Sequence, residues 1–188
     1  NETGEIVDNC QKRPQRLFEE RELSVDECAG YLQKAINLLK SQTAASDGSE
    51  GILKVIITVS PIRYAKYGYH GSQLSKATLL LAADKLVKEN PGVVSYFPAY
   101  EIMNDELRDY RFYKEDMLHP SEQAVEYIWE RFRATYFGKA AEQFLEDWRP
   151  IREALGHKPF HPESEEHQKF IARTEEKKRQ FEEKYHLL

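Results

Sequence analysis

Asp116 and His119 are separated by two residues, a spacing that suits one end of a hydrolase charge-relay site. A histidine acting as a general base needs one ring nitrogen facing the nucleophile and the other held by an acceptor that fixes its tautomer. A tight turn of this length lets the Asp116 carboxylate curl back toward Nδ1 of His119. The alternative is structural, because His119 and Pro120 could simply open the helix that follows.

The segments around this turn have the pattern of an α/β domain. Ser24-Val-Asp-Glu27 is a capping box, which predicts the start of a helix. Residues 53–59 are apolar at nearly every position, which indicates a strand covered on both faces, as in a parallel sheet. A helix is predicted from about Ser72 to Glu89, a second strand over 93–97, and a helix from Ser121 to about Phe137. This order favours a parallel sheet with right-handed crossovers.

Apolar residues at helical spacing predict which faces of these helices point inward. In the first helix they are Val25, Cys28, Ala29, Leu32, Ala35, Ile36 and Leu39. In the second they are Leu74, Ala77, Leu81, Ala82 and Leu86, and in the third Ala124, Val125, Ile128, Trp129 and Phe132.

The composition shifts after residue 137, so we predict an α/β domain over 1–137 and a helical extension over 138–188. Helices are expected at 140–155 and about 163–185. The last one has a narrow stripe on a charged body, which is typical of a surface helix laid over the core or a partner subunit. The stripe consists of Phe170, Thr174, Phe181 and Tyr185.

Composition excludes several classes of function. The chain has 27 basic and 32 acidic residues, and a net charge of −5 argues against nucleic acid as an obligate partner. No apolar run approaches the roughly 18 residues of a membrane span. Cys10 and Cys28 are too few for a disulfide framework, which favours a reducing compartment such as the cytoplasm. Because the first residue is Asn rather than Met, we expect a fragment in which a targeting segment is not observable.

A tyrosine-rich loop is predicted over 63–71, directly after a strand, where ligands dock in open α/β sheets. Arg63 and Tyr67 there suit bonding to hydroxyls and stacking on a sugar face, although the segment could be an ordinary surface loop. Glu101 and Arg111 are candidate substrate contacts or a structural ion pair.

His157 and His161 are four residues apart, a spacing that suits metal ligation on a helix. Pro159 lies between them and forbids a regular helix, so no metal site is predicted.

Five segments of the chain resemble the GSCFA family, which looks like a branch of the SGNH (GDSL-like) hydrolases. The resemblance implies a three-layer α/β/α domain of flavodoxin-like type, incomplete at its N-terminus here. It also implies a site that hydrolyses acyl or ester bonds without a metal or organic cofactor. The segments are Val59-Ser-Pro-Ile-Arg63, Tyr96-Phe-Pro-Ala-Tyr-Glu-Ile102, Asp105-Glu-Leu-Arg-Asp-Tyr-Arg-Phe-Tyr113, Asp116-Met-Leu-His-Pro-Ser121 and Ile128-Trp-Glu-Arg-Phe132.

The family takes its name from a Gly-Ser-Cys-Phe-Ala motif whose Ser would be the nucleophile, and these 188 residues do not contain that motif. We therefore expect the nucleophile upstream of this chain. By chain order the resemblance assigns Asn9 to the oxyanion donor, whereas Gln11 stands where members often have His. Ser60 and Ser72 are the alternatives within the chain, but neither lies in a Gly-x-Ser-x-Gly elbow.

The leading hypothesis is a serine hydrolase acting on an ester, such as an O-acyl carbohydrate. Asp116 and His119 should lie in hydrogen-bond contact at the carboxyl edge of the sheet. The alternatives are a non-catalytic carbohydrate-binding or assembly module, and an acyltransferase that uses the same site. We also expect an exposed apolar sheet surface, to be covered by the missing N-terminal segment or a self-associated partner.

Overall fold

The computed structural model describes residues 3–7, 12–43, 53–159 and 163–187. The chain divides into two compact units, Asn1–Val125 and Glu126–Leu188. The first unit contains strands and helices, and the second is helical. The predicted mixed α/β class is confirmed, whereas the domain boundary after residue 137 stays a prediction.

Two short strands form the sheet of the first unit. β1 (Val55–Thr58) and β2 (Val94–Phe97) pair in parallel, with Val55 opposite Val94 and Thr58 opposite Phe97. The chain crosses from one strand to the other through α2 (Gly68–Glu89). The predicted parallel pairing is confirmed by this register. Two neighbouring parallel strands need such a crossover, because the chain must return to the end at which the first strand began.

The prediction that the first strand is covered on both faces is wrong for the described residues. Successive side chains of a strand point to opposite faces. Val55 and Ile57 pack against the core, but Ile56 on the other face is 40% exposed and Thr58 is also exposed. One face of this apolar strand is therefore left uncovered by the described residues.

The core of the first unit lies between the sheet and two helices. α1 (Val25–Thr43) begins at the predicted capping box, where Ser24 N donates to Glu27 Oε2 at 2.9 Å and Glu27 N donates to Ser24 Oγ at 3.2 Å. These reciprocal bonds satisfy backbone groups that the first turn leaves without helical partners. The buried core residues are Ala29 and Ile36 from α1, Ala82 and Leu86 from α2, and Val94 from β2.

The predicted inward faces are only half right. Leu32 and Leu39 of α1 are exposed, as are Leu74 and Leu81 of α2, of which Leu81 is 58% exposed. Each helix carries apolar residues on more than one face, so periodicity by itself could not select the packed one. In these two helices the other misassigned positions are Ala35 and Ala77, whereas Ser72, Lys76 and Ala83 are buried without having been predicted.

The segment predicted as a loop over 63–71 is partly helical. A 3₁₀ turn covers Ala65–Tyr67, and α2 begins at Gly68, one turn earlier than the predicted start at Ser72. Gly68 has a φ of +69°, a left-handed conformation that glycine adopts without strain. It allows the 3₁₀ turn to change direction into the helix.

The chain from β2 to the Asp-x-x-His turn consists of short helical pieces. They are α3 (Ala99–Glu101), a π-helical segment (Ile102–Glu106) and a 3₁₀ turn (Tyr110–Phe112). The π-helical bond runs from Leu107 N to Ile102 O at 3.0 Å. α4 (Glu122–Tyr136) follows, close to the predicted limits, and Ala124 N donates to Ser121 Oγ at 3.3 Å, so Ser121 caps the helix. Val125 and Trp129 of the predicted inward set are exposed.

The second unit contains α5 (Lys139–Gly156) and α6 (Glu165–Lys184), close to the predicted limits. The narrow stripe of α6 packs on α5 through aromatic rings, with Phe181 4.9 Å from Phe144 and 5.1 Å from Trp148 between ring centroids. The stripe was predicted to lie over the core or a partner subunit; Phe181 packs instead on α5, while Phe170 is 39% exposed. Among the described residues, no helix is both long and apolar enough to cross a membrane.

Candidate functional site

Asp116 and His119 face each other across a tight turn. His119 Nδ1 lies 2.6 Å from Asp116 Oδ2. Asp116 Oδ1 accepts backbone N–H bonds from Leu118 at 2.8 Å and from His119 at 3.0 Å. One carboxylate thus holds both the imidazole and the backbone of the turn. The predicted hydrogen bond between the two side chains is confirmed, and their catalytic role stays a prediction.

The turn closes a short antiparallel ladder. Tyr113 and Pro120 form a bridge, and Lys114 N donates to His119 O at 2.8 Å. Met117 has a φ of +60° in the left-handed region, a conformation that costs free energy for a residue other than glycine. The bonds on both sides hold Met117 there, and this reversal brings the side chains of Asp116 and His119 together.

The turn is also bonded to the segment that follows β1. Arg63 N donates to Leu118 O at 3.0 Å, and Arg63 Nη1 donates to Met117 O at 3.2 Å. Arg63 comes five residues after the end of β1. Asp116 and His119 therefore lie on a turn that is bonded to the segment after β1, and their predicted place at the carboxyl edge of the sheet stays a prediction.

The bonds to Asp116 determine the tautomer of His119. Backbone N–H groups of His119 and Leu118, together with the imidazole, lower the pKa of Asp116 to about 2. An ionised carboxylate only accepts, so a neutral His119 carries its proton on Nδ1 and exposes a basic lone pair on Nε2. The His119 side chain is 52% exposed. Within the described residues Nε2 has no hydrogen-bond partner, so a reacting proton donor could reach it.

A cleft of about 320 Å³ is lined by residues that contact the turn, although neither Asp116 nor His119 lines it. Its wall includes Arg63, which bonds to the turn, and Tyr113, which pairs with Pro120. The volume lies at the lower end of the range of roughly 300–1,000 Å³ found for small-molecule sites. The other lining residues are Gln73, Met103, Asn104, Leu107, Arg108, Asp109 and Tyr110.

A smaller pocket of about 100 Å³ shares Arg63, Gln73 and Asn104 with this cleft. Lys76 of α2 and Tyr100 of α3 also line it. Lys76 and Tyr100 were not predicted from the sequence. The sequence does place Lys76 four residues after Ser72, on the same face of a helix. Apolar residues on another face of α2, however, made that other face the predicted inward one.

The two residues predicted from the tyrosine-rich segment lie in different places. Arg63 lines the cleft beside the turn. Tyr67 lines a separate cleft of about 320 Å³ together with Arg21 and Cys28, and its ring centroid is 5.1 Å from that of Tyr64. The structure does not bring Arg63 and Tyr67 into one cleft, and a substrate-binding role for either stays a prediction.

Glu101 and Arg111 bind different partners, so they do not form the ion pair considered above. Glu101 accepts hydrogen bonds from Tyr96 Oη at 3.0 and 2.8 Å. Burial, followed by the bonded carboxylate, raises the pKa of Tyr96. Arg111 Nε lies 3.8 Å from Asp109 Oδ2. Glu101 therefore holds the end of β2, while Arg111 belongs to the 3₁₀ turn.

The remaining candidates have local roles or cannot be placed. Asn9 lies outside the described residues. Ser60 Oγ accepts from Ile62 N at 3.3 Å and Ser72 Oγ accepts from Tyr64 N at 3.2 Å, so each organises a turn.

The described residues contain no group of three or more His, Cys, Asp or Glu side chains arranged to hold a metal ion. His157 has a ring contact with Phe170 at 5.7 Å, and His161 lies outside the described residues.

Comparison with protein families identifies the chain. The model of the GSCFA family matches residues 1–132, and the chain belongs to this family. Residues 148–188 match a second model, described as the GSCFA domain protein, C-terminal domain. Searches of curated proteins and of solved structures found no match.

Proposed function

We propose that this chain supplies the base and its orienting acid to a serine hydrolase of the SGNH type, which acts on an ester. The single observation that supports this is the 2.6 Å contact between His119 Nδ1 and Asp116 Oδ2. It holds the imidazole with its basic nitrogen, Nε2, available to a reacting group. An ester of an O-acyl carbohydrate is the proposed substrate, and the adjoining cleft has room for a small one.

In this proposal the nucleophile is a serine outside these 188 residues, in the Gly-Ser-Cys-Phe-Ala motif for which the family is named. His119 Nε2 takes the proton of the serine hydroxyl as it attacks the carbonyl carbon. Asp116 stabilises the imidazolium that forms. His119 then returns the proton to the leaving alcohol, and a water molecule activated by the same nitrogen releases the acid. Asn9 and backbone amides are the proposed oxyanion donors.

We further propose that the two parallel strands and their helices are part of a three-layer α/β/α domain of flavodoxin-like type. The parallel pairing, the helical crossover and the hydrogen bond from the segment after β1 to the turn support this fold. In such sheets ligands bind outside the carboxyl ends of the strands. The half-exposed Ile56 on β1 is where a further layer would be expected to pack.

A second candidate function is a non-catalytic carbohydrate-binding module. Tyr69 and Tyr110 are both largely exposed, and each lines one of the two adjoining pockets. Exposed tyrosines at a pocket rim stack on sugar faces, and this requires no catalysis. An acyltransferase is a variant of the leading proposal, because it would use the same base and replace water with an alcohol acceptor.

The test uses the full-length natural protein, 4-nitrophenyl acetate and a fluorophosphonate probe that labels activated serines. We expect slow ester turnover and labelling of one serine outside residues 1–188, both lost in His119→Ala. The 188-residue chain alone should neither turn over the ester nor be labelled. Glycan binding by a full-length protein that neither hydrolyses ester nor takes the label would favour the binding module. Labelling at Ser60 or Ser72 would contradict the proposed position of the nucleophile.

A further inference from the structure

Two cations line the small pocket beside the cleft, and neither has a carboxylate partner within the described residues. Lys76 Nζ donates to Ser60 O at 2.7 Å, and its ammonium lies 6.0 Å from the centroid of the Tyr100 ring. Arg63 donates to Met117 O at 3.2 Å. Both cations therefore bind neutral carbonyl groups and leave further N–H donors unused.

Lys76 is unusual for a lysine because only 9% of the residue is exposed. Burial lowers its pKa, and no neighbouring charge counteracts this effect. A buried ammonium without a counter-charge opposes folding, since its hydration is lost without a full replacement. One bond to Ser60 O replaces part of that hydration. A negatively charged ligand in the pocket would replace the rest.

Arg63 is placed to act with Lys76. Its guanidinium lies 4.9 Å from the ring centroid of Tyr69 and 5.5 Å from that of Tyr113, so aromatic rings flank the planar group. Contacts with aromatic rings do not use up the N–H donors of a guanidinium, so the donors of Arg63 that do not bond to Met117 O can bind an acceptor. Arg63 also lines both the small pocket and the larger cleft, so it is shared between them.

The neutral residues of the pocket also present donors. Tyr100 Oη donates to Gln73 Oε1 at 2.8 Å, which occupies the acceptor of that amide and leaves its amino group available. Asn104 Nδ2 donates to Tyr100 O at 2.7 Å, one helical turn earlier in the chain. No Asp or Glu lines this pocket among the described residues. Donors and positive charge therefore dominate it.

We propose that the pocket formed by Arg63, Gln73 and Lys76 binds an anionic group, a carboxylate or a phosphate, of the ligand that occupies the adjoining cleft. A pocket of about 100 Å³ accommodates such a group rather than a whole ligand, since complete small-molecule sites measure roughly 300 Å³ or more. The proposed anion binding is argued from this geometry alone. If the ligand is also taken to be an ester substrate, that identification rests on the proposed function.

A purely structural role for Lys76 makes a different prediction. A lysine that only caps Ser60 O at the end of β1 would affect stability but not ligand binding. The two roles are separated by Lys76→Met, which keeps the length of the side chain and removes the charge. Lys88→Met is the matched control, because Lys88 lies on the same helix and pairs with Asp84 at 2.7 Å on the surface. Gln73→Glu is a second variant, which places a negative charge in the pocket at an exposed position.

The experiment is isothermal titration of the full-length protein with glucuronate, glucose 6-phosphate and glucose at constant ionic strength. We expect saturable binding of at least one anionic sugar, at least tenfold tighter than that of glucose. The tighter of the two anionic sugars identifies the group. Lys76→Met and Gln73→Glu should each weaken this binding at least tenfold, while Lys88→Met leaves it unchanged. Circular dichroism should establish that each variant is folded.

Equal binding of glucose and both anionic sugars would overturn the inference, as would anion binding that is unchanged in both folded pocket variants. The outcome is independent of ester turnover. Lys76-dependent anion binding by a protein without esterase activity would leave the anion site standing and count against the proposed hydrolase. Turnover of 4-nitrophenyl acetate without selective anion binding would do the reverse.

Discussion

The backbone N–H of Arg63 donates a 3.0 Å hydrogen bond to the backbone carbonyl of Leu118, a residue 55 positions further along the sequence. This bond joins the segment after β1 to the turn that carries Asp116 and His119. Arg63 also lines the cleft and the small pocket. A single residue thus connects the turn of the proposed base to the proposed ligand-binding surface.

His119→Ala should lower kcat for 4-nitrophenyl acetate in the full-length protein by roughly four orders of magnitude or more. The reason is that a serine at its ordinary pKa is a poor nucleophile without a base. Steady-state absorbance at neutral pH measures this loss. His167→Ala is the control, because His167 lies on α6 and stacks near Phe170. Retained turnover in His119→Ala would place the chemistry elsewhere.

Asp116→Asn should lower kcat about 10⁴-fold. The Asn carbonyl can still accept the two backbone N–H bonds of the turn, so its amino group would face Nδ1 of His119. That arrangement favours a proton on Nε2 and removes the basic lone pair. Asp105→Asn, at an exposed position, is the control. A folded Asp116→Asn variant with the wild-type rate would exclude an orienting role.

The carboxyl group of Asp116 should titrate near pH 2, against its ordinary value of 3.8. Because backbone N–H groups are the largest cause, the midpoint should remain below 3.8 in His119→Ala, although above that of the wild type. Carboxyl ¹³C shifts measured by NMR give both midpoints. A midpoint at the ordinary value in His119→Ala would mean that the imidazole, not the turn, holds the carboxylate.

The same shift has a consequence for stability. Between about pH 4 and pH 2 the unfolded chain takes up a proton at Asp116 that the folded chain does not. Its contribution is therefore fully present above pH 4 and is lost as the pH falls toward 2. Urea unfolding should show a shallower acid-induced decrease in Asp116→Asn than in the wild type over this window. Parallel curves would contradict the assignment.

Ser24→Ala should lower the free energy of unfolding by about 1 kcal/mol, because Glu27 N loses the cap at the start of α1. The measurement is urea unfolding followed by circular dichroism. Ser41→Ala is the comparison on the same helix, where the hydroxyl donates to Leu38 O at 2.7 Å near the last turn. An equal loss in both variants would mean that the capping box contributes little.

Phe181→Ala should destabilise the α5–α6 pair by about 3–5 kcal/mol, because Phe181 is only 6% exposed and contacts Phe144 and Trp148. Phe170→Ala on the same helix should cost much less, since Phe170 is 39% exposed. Thermal unfolding followed by tryptophan emission compares the two. Similar losses would show that α6 packs through a different face.

The sequence predicts well the features that depend on residues close together in the chain. The capping box at Ser24 and Glu27 and the contact between Asp116 and His119 each span three positions, so local backbone geometry brings the partners together in any fold that contains the turn. β1 and β2 were likewise predicted from short apolar runs. Such interactions do not require knowledge of what packs from elsewhere.

Tertiary structure decided which face of a helix is buried and which partner a charged side chain binds, wherever the sequence is compatible with more than one choice. α2 has apolar residues on two faces, and packing against α1 and the sheet buried the one with Ala82 and Leu86. This packing left Leu81 exposed and placed Lys76 in the wall of the small pocket. Glu101 similarly bonds Tyr96 of β2 rather than Arg111. Partner choice at this range depends on how elements are placed in space, and neither side-chain spacing nor charge specifies that placement.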